Sequence, residues 1–159
     1  MGILEQISRS NGGVPKYAVA GPVMMTAGGI AGDRQRNLRV HGGPDKAVLM
    51  IATELLDDLI AQGYPLYPGA LGENLTVSGL DFGAWRAGQR YRIGEDAEIE
   101  LTTLREPCVQ LYVYGKSIVK ELAQPLDFSK ARVAGGFYAR VIRPGVLTPG
   151  LPVVAYGLE

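Results

Sequence analysis

Apolar residues along this chain fall in short runs, several alternating with polar ones at a period of two, and glycine or proline punctuates the spaces between them. Ile99 and Leu101 alternate with Glu98, Glu100 and Thr102, so a strand there has one dry face and one wet face. The same pattern predicts strands from Ile3 to Ile7, Tyr17 to Met24, Ala47 to Ile51, Asn74 to Val77, Gln89 to Ile93, Glu98 to Leu104, Phe137 to Ile142 and Val153 to Tyr156. Helical spacing is rarer. Leu55, Leu56, Leu59 and Ile60 recur at it, with Thr53 placed to cap the start, Glu54 at the favourable N-terminal end and Gly63 as the stop. A second short helix is expected after Ser117, over Ile118, Val119 and Leu122, ahead of Pro125. Val109 to Tyr114 fits either a strand or a helix opened by Pro107, and the helix would hold Cys108 in its first turn. The expected fold is mostly β with a few peripheral helices.

Length and composition narrow the class. A chain of 159 residues, 47% hydrophobic and 20% charged, suits one soluble domain spanning residues 1–159 and able to close a single core. The formal net charge is zero, which argues against a nucleic-acid binder, whose phosphate contacts need excess cations on one face. No run approaches the roughly 20 apolar residues of a spanning helix, and the first residues lack the basic and apolar blocks of a signal peptide. The expectation is a cytoplasmic protein with no membrane role. One cysteine cannot form an internal disulfide, and a reducing compartment suits it.

That cysteine, Cys108, is either inert packing or a reactive or metal-binding thiolate. Arg105, three residues earlier, favours the thiolate because a nearby cation lowers a thiol's pKa. Three further segments carry polar chemistry. The stretch from Gly32 to Lys46 holds Asp33, Arg34, Arg36, Arg39, the only histidine, His41, and the pair Gly42-Gly43. Its cations outnumber its anions, so it suits an anionic ligand, although a solvated loop would also have this composition. Its glycines do not match dinucleotide or nucleoside-triphosphate loops. Gly72-Glu73-Asn74 precedes a strand, and Glu73 and Asn74 could bond a polar heterocycle or simply serve a turn. Gly135-Gly136-Phe137-Tyr138-Ala139-Arg140 opens a strand with Tyr138 and Arg140 outward on the same face.

Taken in order, these segments resemble the MOSC family, the domain found at the C-terminus of molybdenum cofactor sulfurases and in small stand-alone bacterial proteins. The matching residues are Gly32-Asp33, His41-Gly42-Gly43 with Asp45-Lys46-Ala47-Val48, Gly72-Glu73-Asn74-Leu75, Arg105 with Pro107-Cys108, and Gly136, Tyr138, Arg140, Val141 and Gly145. The resemblance implies a barrel-like fold of the pyruvate-kinase β-barrel type and a pocket for the molybdenum cofactor (molybdopterin). It also implies Cys108 as thiolate ligand to the metal, with Arg34, Arg36, His41, Lys46, Glu73, Asn74, Arg105, Tyr138 and Arg140 as cofactor contacts. The implied activity is two-electron reduction of a small N-hydroxylated substrate, with His41 or Lys46 as proton donor and a separate reductase as electron donor. An alternative is sulfur transfer, with Cys108 carrying a persulfide received from a cysteine desulfurase. A further alternative is a non-catalytic cofactor or anion binding module. The long sulfurases' pyridoxal-phosphate domain has no counterpart here, so that cofactor is not expected. Tyr64, Tyr67 and Trp85 could support a homodimer.

Overall fold

The computed structural model describes residues 1–34, 43–106, 109–115, 117–122 and 135–157. Its strands are β1 (Gly2–Arg9), β2 (Tyr17–Ala18), β3 (Val23–Thr26), β4 (Gly29–Ile30), β5 (Val48–Ala52), β6 (Leu75–Ser78), β7 (Arg90–Ile93), β8 (Ala97–Leu104), β9 (Phe137–Arg143), β10 (Gly145–Leu147) and β11 (Pro152–Tyr156). The main sheet runs β11-β7-β8-β9-β5-β6-β1-β2, and a further pairing of β11 with β1 closes seven of these strands into a barrel. Closure leaves no open edge among the seven, which removes the usual site of unwanted strand addition. A small sheet, β10-β3-β4, contributes Val23, Met25, Ile30 and Leu147 to the core.

One pairing in the barrel is parallel, β5 with β6. Parallel neighbours need a crossover, and α1 (Thr53–Ala61) supplies it. Leu55, Leu56 and Leu59 bury the inner face of α1, as its spacing predicts, whereas Ile60 of the same set is exposed, and Gly63 ends the helix with a positive φ of 103°. The expected Thr53 cap is not formed. Ala52, still in β5, occupies the N-cap position, and the buried Thr53 hydroxyl has no hydrogen-bond partner. The strand runs into the helix without a loop, so no side chain is free to turn back. Glu54 instead accepts from the Gly79 amide at 3.1 Å and ties α1 to the exit of β6.

One other expectation changes and one open alternative is decided. The single strand foreseen from Tyr17 to Met24 is broken into β2 and β3 around Gly21 and Pro22, where proline cannot donate to a ladder. For Val109–Tyr114, where the sequence leaves strand and helix both open, the structure has a 3-10 helix, which leads to α2 (Ser117–Leu122), burying Ile118 and Leu122.

Gly136 opens β9 with a φ of 98°, and a Cβ there would lie 2.8 Å from Ile51 Cγ1 and 2.9 Å from the Met50 carbonyl. Backbone conformation and space both demand glycine. Gly136→Ala is expected to cost about 2–4 kcal/mol of unfolding free energy, checked by urea denaturation; a loss near zero would contradict this packing.

Candidate functional site

The polar motifs meet at Gly72-Glu73-Asn74. Asn74 stands between β1 and β5 and bonds both neighbours with backbone and side chain alike. On one side its carbonyl accepts from the Ser8 amide at 2.8 Å and its Nδ2 donates to the Ser8 carbonyl at 3.1 Å. On the other its amide donates to the Leu49 carbonyl at 2.9 Å and its Oδ1 accepts from the Leu49 amide at 3.1 Å. The second Nδ2 proton goes to Asp33 Oδ2 at 2.9 Å. Only a short carboxamide offers this combination of donors and acceptor. The Asn74 side chain is therefore engaged with the protein itself at the place where β6 enters the barrel.

Asp33 links this junction to two loops. Its Oδ1 accepts from the Ser10 amide at 3.0 Å and sits 2.6 Å from Lys16 Nζ, in an ion pair whose side chains are 3% and 5% exposed. Lys16 was not visible as a site residue in the sequence, because nothing local distinguishes a buried lysine from a solvated one. Its amide donates to the Gly69 carbonyl at 2.8 Å, which brings the loop before Gly72 to the same point. Arg34 follows Asp33 directly; its amide donates to the Ser10 carbonyl at 3.0 Å and the residue is exposed. The root of the basic segment is thus fixed by a buried, hydrogen-bonded charge pair.

Glu73 and Arg105 lie beside the junction. Glu73 is fully buried and accepts at Oε2 from the Thr76 hydroxyl at 3.3 Å, while Oε1 has no partner. Burial pushes its carboxyl above the ordinary range, and backbone donors at Gly69 and Glu73, the Thr76 hydroxyl and the Arg105 charge pull it back incompletely. Arg105 is 5% exposed, donates from Nη1 to the Gly135 carbonyl at 3.4 Å, and leaves Nε without a partner. Tyr114 braces the neighbouring 3-10 helix by donating to the Ala70 carbonyl at 2.5 Å.

Lys46 and Tyr138 sit one strand further on, since Tyr138 pairs with Leu49 in the register of β5 and β9. Lys46 Nζ lies 5.3 Å from the Tyr138 ring centroid, a cation–π distance. Tyr138 is not outward in the sense expected: the short helix Pro44–Lys46 covers it, and the single Thr102 hydroxyl proton lies within reach of both the Asp45 and Tyr138 carbonyls. Arg140 remains on the exposed outer face, 2.7 Å from Glu100, and is part of a cross-strand charge ladder with Arg90. That hydrogen bond from Arg140 holds the Glu100 carboxyl below its ordinary range. Arg36, His41 and Cys108 lie outside the described residues.

The MOSC domain family model matches residues 37–154, and the chain belongs to that family. It is 36% identical over 143 residues to the uncharacterized protein YflK of Bacillus subtilis (strain 168), covering 87% of this chain and 60% of that protein. The chain therefore spans about three fifths of that relative's length. A reductase of Gibberella moniliformis (strain M3125 / FGSC 7600) is 34% identical over 95 residues, which is 57% of this chain and 17% of that protein. Among solved structures, YiiM from Geobacillus stearothermophilus superposes with a TM-score of 0.78 at 26% identity, covering 99% of this chain and 76% of that one.

Removing one half of the Lys16–Asp33 pair strands the other in the interior. Lys16→Met is expected to cost about 3–5 kcal/mol, with much of the loss recovered in Lys16→Met/Asp33→Asn. A double-mutant cycle by chemical denaturation checks this, and additive losses would contradict it. Glu73 gives a prediction of opposite sign. A carboxyl with a raised native pKa favours folding at low pH and forfeits that contribution as pH rises past the ordinary carboxylate range. Glu73→Gln should therefore gain melting temperature relative to the parent as pH rises above the ordinary carboxylate range; a pH-independent difference would refute the assignment.

Proposed function

We propose that this chain binds the molybdenum cofactor and reduces small N-hydroxylated substrates, with Cys108 as the protein's thiolate ligand to the metal and an external reductase as electron donor. The observation that carries the reading is the meeting of motifs that are distant in sequence. Asp33 bonds Asn74, Arg105 Nη2 comes within 4.0 Å of where a Cβ on Gly72 would stand, and Cys108 follows Arg105 by three residues. Membership of the MOSC family and the partial similarity to a reductase support it.

The donor set fits the group. A molybdopterin offers a phosphate, a dithiolene and a flat polar heterocycle. Arginine and lysine side chains suit the first, a soft thiolate completes the second's metal, and buried polar atoms without partners suit the third. Those atoms are Glu73 Oε1 and Arg105 Nε. Arg34 and Lys46, with Arg36 and His41 between them in sequence, would hold the phosphate. When bound, the cofactor supplies two-electron chemistry at its metal. The chain's own contributions are to supply the Cys108 thiolate, to bring cations to the anionic cofactor, and to donate a proton from His41 or Lys46 to the departing oxygen of the substrate. An ammonium or imidazolium placed there would raise the rate by about 10²–10⁴.

Protein purified from a cofactor-competent host should carry molybdenum and pterin in comparable amounts, and Cys108→Ala should lose most of the metal. Lys46→Met and His41→Ala should lower reduction of an N-hydroxylated base more than they lower metal content. A parent protein free of both metal and pterin would overturn the proposal. A cyanide-sensitive sulfur adduct on Cys108 after incubation with a cysteine desulfurase, with no metal bound, would establish sulfur transfer in its place.

A further inference from the structure

We infer that the outer face of the barrel where β1 meets β11 docks against the same face of a second copy of this chain, about a two-fold axis at Pro152.

The register of this seam sets out one line of outward side chains. Ile3 and Glu5 leave β1 on its outer side, since Gly2 and Leu4 are buried. Ile3 pairs with Pro152, Val154 is the next outward residue of β11, and Val154 pairs with Arg92 of β7. Across the strands the line runs Glu5, Ile3, Pro152, Val154, Arg92: an acid, three apolar residues and a base. Ile3 is 36% exposed and Val154 43%. The other outer faces are occupied. The five residues of β5 are buried beneath the crossover that carries α1, the Pro44–Lys46 turn covers Tyr138 on β9, and arginine–glutamate pairs fill the outside of β7, β8 and β9.

This line is complementary to itself. A two-fold axis crossing it at Pro152 sets Ile3 against Val154 of the second copy and Glu5 against Arg92 of the second copy, and repeats both contacts, as a closed two-fold interface requires. An axis along the line would set Glu5 on Glu5 and Arg92 on Arg92, so the charges select the first orientation. Both charges stand ready for it. Glu5 is exposed and accepts from the Ser78 hydroxyl at 2.5 Å, but it enters no ion pair among the described residues. Arg92 keeps 49% of its side chain exposed while Glu98 at 3.3 Å and the Tyr156 ring at 5.1 Å hold its guanidinium in place. A formal net charge of zero adds no long-range repulsion between copies. Docking here also shields the positions at which pairing closes the barrel, Gly2 with Val153 and Ile3 with Pro152. The aromatics expected to support a homodimer, Tyr64, Tyr67 and Trp85, are not on this face: none lies on β1 or β11, and Trp85 is buried.

Sedimentation velocity on the intact chain over a concentration series tests the interface. The parent should pass from monomer to dimer as concentration rises and dissociate as salt is added. Glu5→Arg and Arg92→Glu should each weaken the dimer at least about tenfold, because each reversal places like charges together at two symmetric contacts. Mixed in equal amounts, the two variants should associate about as tightly as the parent, since opposite charges then meet at both contacts. Val154→Asp, with a charge in the middle of the line, should be monomeric. All three positions are exposed, and circular dichroism spectra matching the parent's should show that the variants fold. A parent that is monomeric throughout overturns the proposal and leaves the face to a different polypeptide. A dimer indifferent to either charge reversal or to Val154→Asp, or a mixture no tighter than its components, overturns it as well and places self-association elsewhere.

Discussion

The carboxamide of Asn74 is the point on which the rest of this fold depends. A barrel with one parallel pairing has to bring β5 and β6 into register without a hairpin, and Asn74 does so by bonding Leu49 and Ser8 through backbone and side chain together. Its remaining proton reaches Asp33, whose charge is neutralised by Lys16. Five bonds to one buried residue leave little freedom in the strands and loops that converge there. An interior charge pair is expensive to desolvate, so its contribution lies in where it fixes the chain more than in net stability.

The loops fixed in this way carry the residues proposed to act. Lys16 anchors the segment ahead of β2, Asp33 anchors the start of the basic segment, and Gly69 to Asn74 are held between them. Glu73 and Arg105 stand next to this satisfied network but are themselves incompletely satisfied. Adjacent polar groups thus divide into a complete set that stabilises the junction and a set with one unpartnered atom each on Glu73 and Arg105.

Much of the barrel could be read from alternation. β8 is an example, since Ile99 and Leu101 are buried and the intervening glutamates face outward into ion pairs with Arg92, Arg90 and Arg140. β4 and β10 escaped because two or three residues are too few to show a period. The Thr53 cap failed because a strand feeds the helix directly. The ordered motifs picked out Glu73, Asn74 and Arg105, but residue type did not separate the fully bonded amide of Asn74 from the carboxyl of Glu73, one oxygen of which has no hydrogen-bond partner. That distinction depends on neighbours from β1, β5 and the loop at Asp33, all distant in sequence. Lys16 was invisible for the same reason. Tyr138 read as outward because its covering turn, Pro44–Lys46, is contributed from far along the chain.

The most direct measurement is X-ray absorption at the molybdenum edge on protein isolated with its cofactor. The account expects the parent to show one more sulfur neighbour to the metal than Cys108→Ala, with the pterin still bound to both. Identical sulfur shells in the two proteins would contradict it.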